Sequence, residues 1–191
     1  MPAIEMLFSH LDFGIGEIQG IAVINGPGSF TGLRISLSVV KGLAFALQIP
    51  LVAASALEIA ALQISEDGLI SPALDARRQE IFTCLYEKKG SELSLLIEPK
   101  SIDPVAWSSE IPKSPLVFCG PGAHLYWNIL RKHSASRLVS PPDLLLARTL
   151  ALYSRRKFER GEVLTANELK AAYLRPSDAE AKGPSPSPLG Y

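Results

Sequence analysis

The sequence predicts an α/β protein with parallel strands in its first third and an antiparallel meander after it. Two apolar runs, at 19–24 and 50–54, are each followed by a segment with helical periodicity. This alternation of strand and helix is typical of a parallel sheet. From Gly68 onward, strand-like runs follow one another without an intervening helix. The chain has 191 residues, 47% of them apolar and 20% charged, so it is long enough and apolar enough to fold around a core.

The first elements follow from the positions of apolar and helix-breaking residues. Apolar residues of the segment 3–13 fall on one helical face before Gly14, so we predict a helix there. A buried strand at 19–24 leads into a glycine-rich turn. A long helix at 31–48 then meets no helix breaker until Pro50.

The next helix begins after the strand at 50–54. Ser55 and Glu58 have the spacing of a capping box, with Ser55 as N-cap and Glu58 reaching back, and this helix is predicted to run to about Ile64. The later elements are three strands of a meander, a short helix, a further strand and two more helices. We expect the meander strands at 69–74, 80–86 and 93–97, and the short helix from Asp103. The further strand is expected at 116–119, and the last two helices at 124–132 and from Asp143 to Gly161.

The helix at 31–48 is apolar nearly all round, apart from a narrow stripe formed by Arg34, Ser38 and Lys41. Its small residues are also aligned at spacings of four: Gly32 with Ser36, and Ser38 with Gly42 and Ala46. A small-residue face lets another helix approach closely. The face either packs on the chain's own sheet or docks a partner, and the pattern alone leaves both interpretations open.

Charge and composition exclude several classes of function. The formal net charge is zero, so there is no general basic field to hold a nucleic acid. The segment 31–50 is apolar enough to suggest a membrane span, but Arg34 and Lys41 would each cost about 2.5–3.5 kcal/mol at the bilayer centre. We therefore predict a buried helix of a soluble protein. Cys84 and Cys119 have no metal-type spacing and are predicted to be buried free thiols.

An eleven-residue stretch, from Asn25 to Ile35, carries the most specific signal in the chain. It reads NGPGSFTGLRI and directly follows the strand at 19–24. This turn has two possible interpretations. Its backbone N–H groups at the helix start can bind an anion or another chain, or its glycines are needed only because the backbone there adopts positive φ. The turn itself consists of Gly26, Pro27, Gly28, Ser29, Phe30 and Thr31.

These residues resemble the signature of a known family. The segment 26–34 is similar to the GPGSFTGLR motif of the TsaB (YeaZ-type) family, the partner subunit of the bacterial tRNA threonylcarbamoyladenosine synthase. Further stretches resemble the family in the same order: KGLA at 41–44, IPLV at 49–52, ASALE at 54–58, DARRQEI at 75–81 and AYLRP at 172–176. Gln79 stands where the family usually has glycine.

The resemblance implies an actin-like/Hsp70-like ATPase (ASKHA) fold with two lobes. We expect the lobes at 1–66 and 67–178, with a disordered tail at 179–191. Family members normally begin with a strand meander, whereas this chain starts inside what resembles the first helix. We therefore expect a first lobe truncated at its N-terminus, with an exposed sheet edge.

The resemblance also implies a function: a non-catalytic scaffold that binds and stabilises the TsaD-type catalytic subunit in t6A modification of tRNA, in the cytoplasm. A TsaE-type ATPase and a second copy of the chain are further implied partners, and tRNA is reached only through the complex. No intrinsic cofactor is expected, with ATP or ADP at the interface of the complex. The expected partner surface comprises Leu7, Leu11, Gly32, Arg34, Ser38, Lys41, Gly42 and Phe45.

An ATP-dependent phosphotransferase of the same fold is the alternative. Such enzymes need an aspartate-bearing glycine turn in each lobe, and here Asp75 is followed by Ala76, Arg77 and Arg78. We expect Asp75 to pair with Arg77 or another neighbour rather than to position Mg²⁺. No catalytic residue and no metal site are predicted, because the histidines do not share the i, i+4 spacing of a metal hydrolase. These histidines are His10, His124 and His133.

Overall fold

The chain begins with a short helix, α1 (Pro2–Phe8), and a 3-10 turn at Ile15–Glu17. A parallel strand pair, β1 (Ile21–Gly26) and β2 (Leu51–Ser55), follows, and α2 (Phe30–Leu47) connects the two strands. The computed structural model describes residues 2–132, 135–139 and 146–175. The predicted strand–helix–strand unit is therefore present with nearly the expected bounds. The expectation that the first lobe is truncated at its N-terminus stays a prediction.

The helix predicted at 3–13 is shorter than expected, because it ends at Phe8. Ser9 Oγ and His10 Nδ1 each lie 2.8 Å from the Met6 carbonyl oxygen, and Leu11 N donates to the Phe8 carbonyl oxygen at 3.1 Å. Side chains and i→i−3 bonds thus satisfy the last carbonyl groups. Leu11 lies beyond the helix.

α3 (Ala56–Leu62) begins at its predicted cap, but the capping box is not formed. Ser55 Oγ accepts a hydrogen bond from Leu57 N at 3.2 Å. Glu58 does not reach back to the cap; its Oε1 instead accepts a hydrogen bond from Tyr153 Oη at 3.2 Å. Glu58 therefore binds Tyr153, which is 95 positions away in the sequence, and not the backbone at the start of its own helix.

The second sheet is an antiparallel meander extended by two parallel strands. The meander consists of β3 (Gly68–Arg77), β4 (Glu80–Lys89) and β5 (Glu92–Ile102), and α4 (Pro104–Glu110) follows with Asp103 as its N-cap. The parallel strands are β6 (Leu116–Cys119) and β7 (Arg137–Leu138), and the sheet order is β5-β4-β3-β6-β7. The change to antiparallel strands predicted at Gly68 is confirmed.

The helix predicted at 124–132 starts earlier and is divided into α5 (Pro121–Leu125) and α6 (Trp127–Leu130). Gly120, with φ of +94°, precedes Pro121 at the first helical position, where the missing N–H of proline costs nothing. A Cβ atom on Gly122 would lie 2.6 Å from the Leu74 carbonyl carbon, so α5 packs directly on the β3 backbone.

α7 (Leu146–Glu159) is the last helix, and Gly161 follows it with φ of +69°. The predicted start at Asp143 and the predicted tail lie outside the described residues. Beyond α7, Leu164 and Leu51 exchange backbone hydrogen bonds of 2.7 and 2.8 Å. The C-terminal part thus returns to the first sheet, against which α7 also packs. The division into lobes at 1–66 and 67–178 stays a prediction.

α3 lies between the two sheets and joins their cores. Leu57, Ile59 and Ala60 on this short helix are completely buried. Leu57 and Ala60 pack in the same cluster as Cys84 and Cys119, which are free thiols as predicted. Burial raises the pKa of both thiols to about 12. Because α3 contacts both sheets, its packing sets how the two parts of the molecule are held together.

We predict that Leu57→Ala lowers the free energy of unfolding by about 2–5 kcal/mol, because it leaves a cavity between the sheets. Leu152→Ala is the matched control: this leucine is also helical but is 58% exposed, so its loss should stay within about 0.5 kcal/mol. Urea unfolding measures both. Equal losses in the two variants would contradict the position assigned to α3.

Candidate functional site

The long apolar helix α2 is covered on one side only. Of its 18 residues, only Leu33, Leu37 and Ala44 are buried. The opposite side carries exposed residues that we call the outer face: Ile35, Ser38, Gly42, Phe45 and Ala46. Ile35 is 62% exposed and Phe45 is 69% exposed. The face of small residues therefore does not pack on the chain's own sheet, and docking of a partner on it stays a prediction.

The small residues predicted to form a close-approach surface lie on this exposed side. A Cβ atom on Gly42 would have no heavy atom within 4 Å, so nothing in the described part of the chain occupies the space above it. Gly32 is also exposed, in the first turn of the helix. Arg34, which is exposed, and Lys41, which is half-buried, lie along one edge of the outer face because they are seven residues apart.

The glycine-rich turn before α2 is fixed by close backbone contact with the C-terminal segment. Gly26 has φ of +137°, and a Cβ atom there would collide with the carbonyl oxygen of Ala172. Ser29 is the N-cap of α2, and its Oγ accepts a hydrogen bond from Gly32 N at 3.3 Å. Positive φ at Gly26 and the close approach of Ala172 together explain why glycine is needed at this position.

Residues 170–175, which we call the strap, hold this turn from outside. Asn25 anchors it twice: Asn25 Nδ2 donates to the Lys170 carbonyl oxygen at 3.0 Å, and the Asn25 carbonyl oxygen accepts from Ala172 N at 2.8 Å. The rings of Phe30 and Tyr173 are 4.9 Å apart, and the Arg34 guanidinium carbon lies 4.1 Å from the Phe30 ring centre. The start of α2 is therefore packed by aromatic and cation–π contacts.

The end of the strap reaches the second sheet. Arg175 Nη1 lies 3.2 Å from Glu80 Oε2, which also accepts a hydrogen bond from Ser101 Oγ. Glu80 begins β4, directly after the predicted second-lobe turn. Three stretches that carry the family resemblance, 26–34, 75–81 and 172–175, are thus connected in space through the strap.

The turn between β3 and β4 is built without glycine. Arg77, Arg78 and Gln79 all have positive φ, between 51° and 63°, a conformation that costs non-glycine residues about 1–2 kcal/mol each. Asp75 Oδ1 accepts from Arg77 N at 2.8 Å, and Asp75 Oδ2 lies 3.3 Å from Arg77 Nη1. The predicted pairing of Asp75 with Arg77 is confirmed, and both carboxylate oxygens are engaged.

Other predicted site residues are not brought together with α2. Leu7 on α1 is 58% exposed and Leu11 is 39% exposed, and α1 buries none of its residues. α1 does not pack closely on α2 in this structure. Among the described residues, no three His, Cys, Asp or Glu side chains cluster as metal ligands. His133 lies outside those residues.

A groove of about 470 Å³ lies at the C-terminal end of α2, next to the outer face. Its lining is mostly apolar and comes from Phe45, Ile49 and the segment 163–167. By length and composition alone, α2 could also cross a membrane, since its mean hydropathy is 1.4. Here it connects two paired strands and packs Leu37 and Ala44 against them.

The comparisons with known proteins decide the family. A family model described as TsaD: tRNA N6-adenosine threonylcarbamoyltransferase matches residues 1–118. The chain belongs to this family. Within it, the TsaB (YeaZ-type) resemblance is confirmed by the curated relatives and the solved structures.

Two TsaB proteins illustrate the relationship. The tRNA threonylcarbamoyladenosine biosynthesis protein TsaB of Bacillus subtilis (strain 168) is 36% identical over 129 residues, which are 66% of this chain and 56% of that protein. The chain therefore spans little more than half the length of that relative. The TsaB protein of Haemophilus influenzae is 24% identical over 92% of this chain and 78% of its own length.

A solved structure extends the similarity to the fold. A crystal structure described as an uncharacterized protein with similarity to peptidase YeaZ from Pseudomonas aeruginosa superposes with a TM-score of 0.75. It is 28% identical and covers 91% of this chain and 82% of its own. The mixed α/β class predicted from the sequence is thereby confirmed for this member of the TsaB family.

Sequence reasoning missed the contacts that connect the motifs of the TsaB family. It identified the stretches containing Phe30, Glu80 and Tyr173 but assigned none of these residues a partner. Aromatic and charged residues inside segments that resemble the family were the available signal. Their pairing could not be found, because the residues are separated by 95 positions or more along the chain.

We predict that Gly26→Ala loosens the strap and lowers the free energy of unfolding by more than about 1 kcal/mol, because alanine is strained at this φ and collides with Ala172. Gly28→Ala is the control within the same turn, since its φ is not in the left-handed region and its nearest contact would be 4.0 Å away. Denaturant unfolding compares the two. A Gly26 variant as stable as the Gly28 variant would contradict the assigned contact.

Proposed function

We propose that this chain is a non-catalytic subunit of an assembly that makes threonylcarbamoyladenosine in tRNA. It binds the TsaD-type catalytic subunit through the outer face of α2 and stabilises its active shape. The single observation that carries this proposal is the incomplete burial of α2, in which only three of 18 residues are buried. The names of the TsaB relatives support the pathway.

The chemistry of the outer face suits a helical partner. Covering an exposed Ile35 or Phe45 side chain contributes roughly 1.5–3 kcal/mol each. Ser38, Gly42 and Ala46 repeat every four residues, which allows a second helix to pack closely in a ridges-into-grooves arrangement. Leu7 and Leu11 on the N-terminal segment are also exposed, but α1 does not pack closely on α2, so the proposed contact rests on α2. The four-helix contact expected from the sequence requires α1 to pack beside α2 in the assembly.

The remaining features of the assembly are part of the same proposal. The chain adopts the actin-like/Hsp70-like ATPase (ASKHA) fold and acts in the cytoplasm. A TsaE-type ATPase and a second copy of the chain are further partners, and tRNA is reached only through the complex. The formal net charge of zero supports this indirect contact with tRNA.

The residues of the second-lobe turn do not fit a nucleotide phosphate or its Mg²⁺. Asp75 is held by Arg77 through a backbone and a side-chain contact. Three consecutive residues with Cβ atoms occupy positive φ where glycine would let the backbone approach a phosphate. We therefore favour the scaffold over an ATP-dependent phosphotransferase. We propose that any ATP or ADP binds at the interface between this chain and the catalytic subunit, with residues of that subunit completing the site.

We predict that Gly42→Trp abolishes co-purification with the cognate TsaD-type subunit, because the indole fills the space that a partner helix needs. The variant should still fold, since no heavy atom lies within 4 Å of a Cβ atom at this position. Ala151→Trp, at an exposed site on α7, is the matched control and should bind normally. Pull-down and circular dichroism measure the two properties. Unchanged capture of the Gly42 variant would remove the docking proposal.

The alternative function is tested with the purified chain and labelled ATP. The scaffold proposal expects no turnover by the chain alone. Turnover that persists without a partner and disappears in Asp75→Asn would instead support a phosphotransferase.

A further inference from the structure

The two sheets of the molecule are attached to each other near both ends of the strand pair β3–β4. In this pair, Gly68 lies opposite Lys88 at one end, and Arg77 lies opposite Glu80 at the other. β3 has 10 residues, so its two ends are on the order of 30 Å apart at roughly 3.3 Å per residue. Attachments at such a separation act on the orientation of one sheet relative to the other.

The first attachment is the segment 63–67, which connects α3 to β3 and which we call the linker. Gly90 N, at the β4–β5 turn, donates a hydrogen bond to Asp67 Oδ1 at 2.8 Å. Glu66 Oε1 lies 2.7 Å from Arg137 Nη2 on β7. The linker is therefore held on the second sheet. Two packed units that are joined at one end can still turn about that end.

The strap is the second attachment, and it lies at the other end of β3. Its residue Ala171 packs against the core cluster that contains Val23 of the first sheet. Leu174 instead packs against the cluster that contains Tyr86 of the second sheet. The ion pair of Arg175 at the start of β4 completes the crossing. One short segment thus divides its side chains between the two sheets.

The contacts of the strap are partly shielded from solvent. The side chains of Arg175 and Glu80 are 28% and 37% exposed. Glu80 also accepts a hydrogen bond from Ser101 Oγ, so two groups hold one carboxylate. Tyr173, which is 43% exposed, packs its ring on Phe30 at 4.9 Å. Salt screens a partly buried ion pair less than a fully exposed one, so the contact keeps its geometry in solution.

We propose that the strap is a clamp that fixes the orientation of the two sheets, so that the start of α2 and the β3–β4 hairpin move as one body. With the linker at one end of β3 and the strap at the other, a turn about either attachment strains the other one. Without the strap, the linker and α3 become a hinge, and the second sheet tilts on the first. This inference concerns the free chain and does not depend on docking through α2.

The distance between two spin labels on the 191-residue chain tests the clamp. Labels on Ala151→Cys and Ala106→Cys report on the two sheets, because both positions are exposed, α7 packs on the first sheet and α4 packs on the core of the second. The native thiols do not interfere. Burial raises the pKa of Cys84 and Cys119 to about 12, so these thiols stay unlabelled.

We expect one narrow distance distribution in the otherwise unmodified chain. The Tyr173→Ala/Arg175→Ala variant should broaden this distribution on the order of twofold, because the second sheet gains a hinge motion. Phe13→Ala/Lys157→Ala is the matched control. It removes an aromatic contact and an ion pair of similar exposure, neither of which joins the two sheets. The control should keep the narrow distribution.

Each other outcome contradicts the clamp. A broad distribution in the unmodified chain would overturn it, and so would a narrow one in the Tyr173/Arg175 variant or equal broadening in the control. Circular dichroism shows whether each variant is folded. If the double variant unfolds, Arg175→Ala alone carries the test, since a partly exposed ion pair contributes little to stability. No partner is present in these measurements, so the clamp can fail while the proposed function stands.

Discussion

A helix of 18 residues, apolar on nearly every side, is packed on one side only, against two short strands and the C-terminal segment. This constraint governs the molecule, because β1 and β2 can cover one side of α2 and the described part of the chain has nothing over the other. Ile35 and Phe45 are exposed on that other side, and a contiguous apolar patch that is left uncovered is typical of a protein–protein contact. The small residues at Ser38, Gly42 and Ala46 leave a shallow surface that a second helix can approach closely.

The contacts around the start of α2 hold the helix in a defined position. The strap fixes the turn through Asn25, packs Tyr173 on Phe30, and reaches Glu80 through Arg175. The turn, the strap and the β3–β4 hairpin thereby form one connected unit. These contacts suit the proposed docking role of α2, since a preorganised surface loses less conformational entropy when it binds.

The sequence was sufficient where local pattern decides structure. The apolar run of α2, the N-caps at Ser55 and Asp103 and the meander after Gly68 were predicted because propensity, capping and periodicity agree there. It was insufficient where a distant partner intervenes. Glu58 binds Tyr153 instead of closing a capping box, and the 124–132 helix starts at Pro121 because Gly122 packs on β3.

The candidate site also has one part that local sequence pattern predicts and another part that depends on contacts between distant residues. Helical spacing placed the small residues of α2 on one face but left open whether that face is covered. The prediction that the helix is buried was wrong, because two short strands and the C-terminal segment cover only one side and leave just three of its 18 residues buried. The pairing of Asp75 with Arg77 was likewise local and was predicted correctly. The strap could not be predicted, since its contacts join residues that only the folded chain brings together.

Hydroxyl-radical footprinting of the chain, alone and with the catalytic subunit, tests the central claim most directly. Phe45 and Ile35 are exposed in the free chain, and so is Leu125, at 60%, on the short helix α5. We expect complex formation to suppress labelling of Phe45 and Ile35 and to leave Leu125 unchanged. A complex in which Phe45 and Ile35 label as in the free chain would contradict the assignment of the outer face as the docking surface.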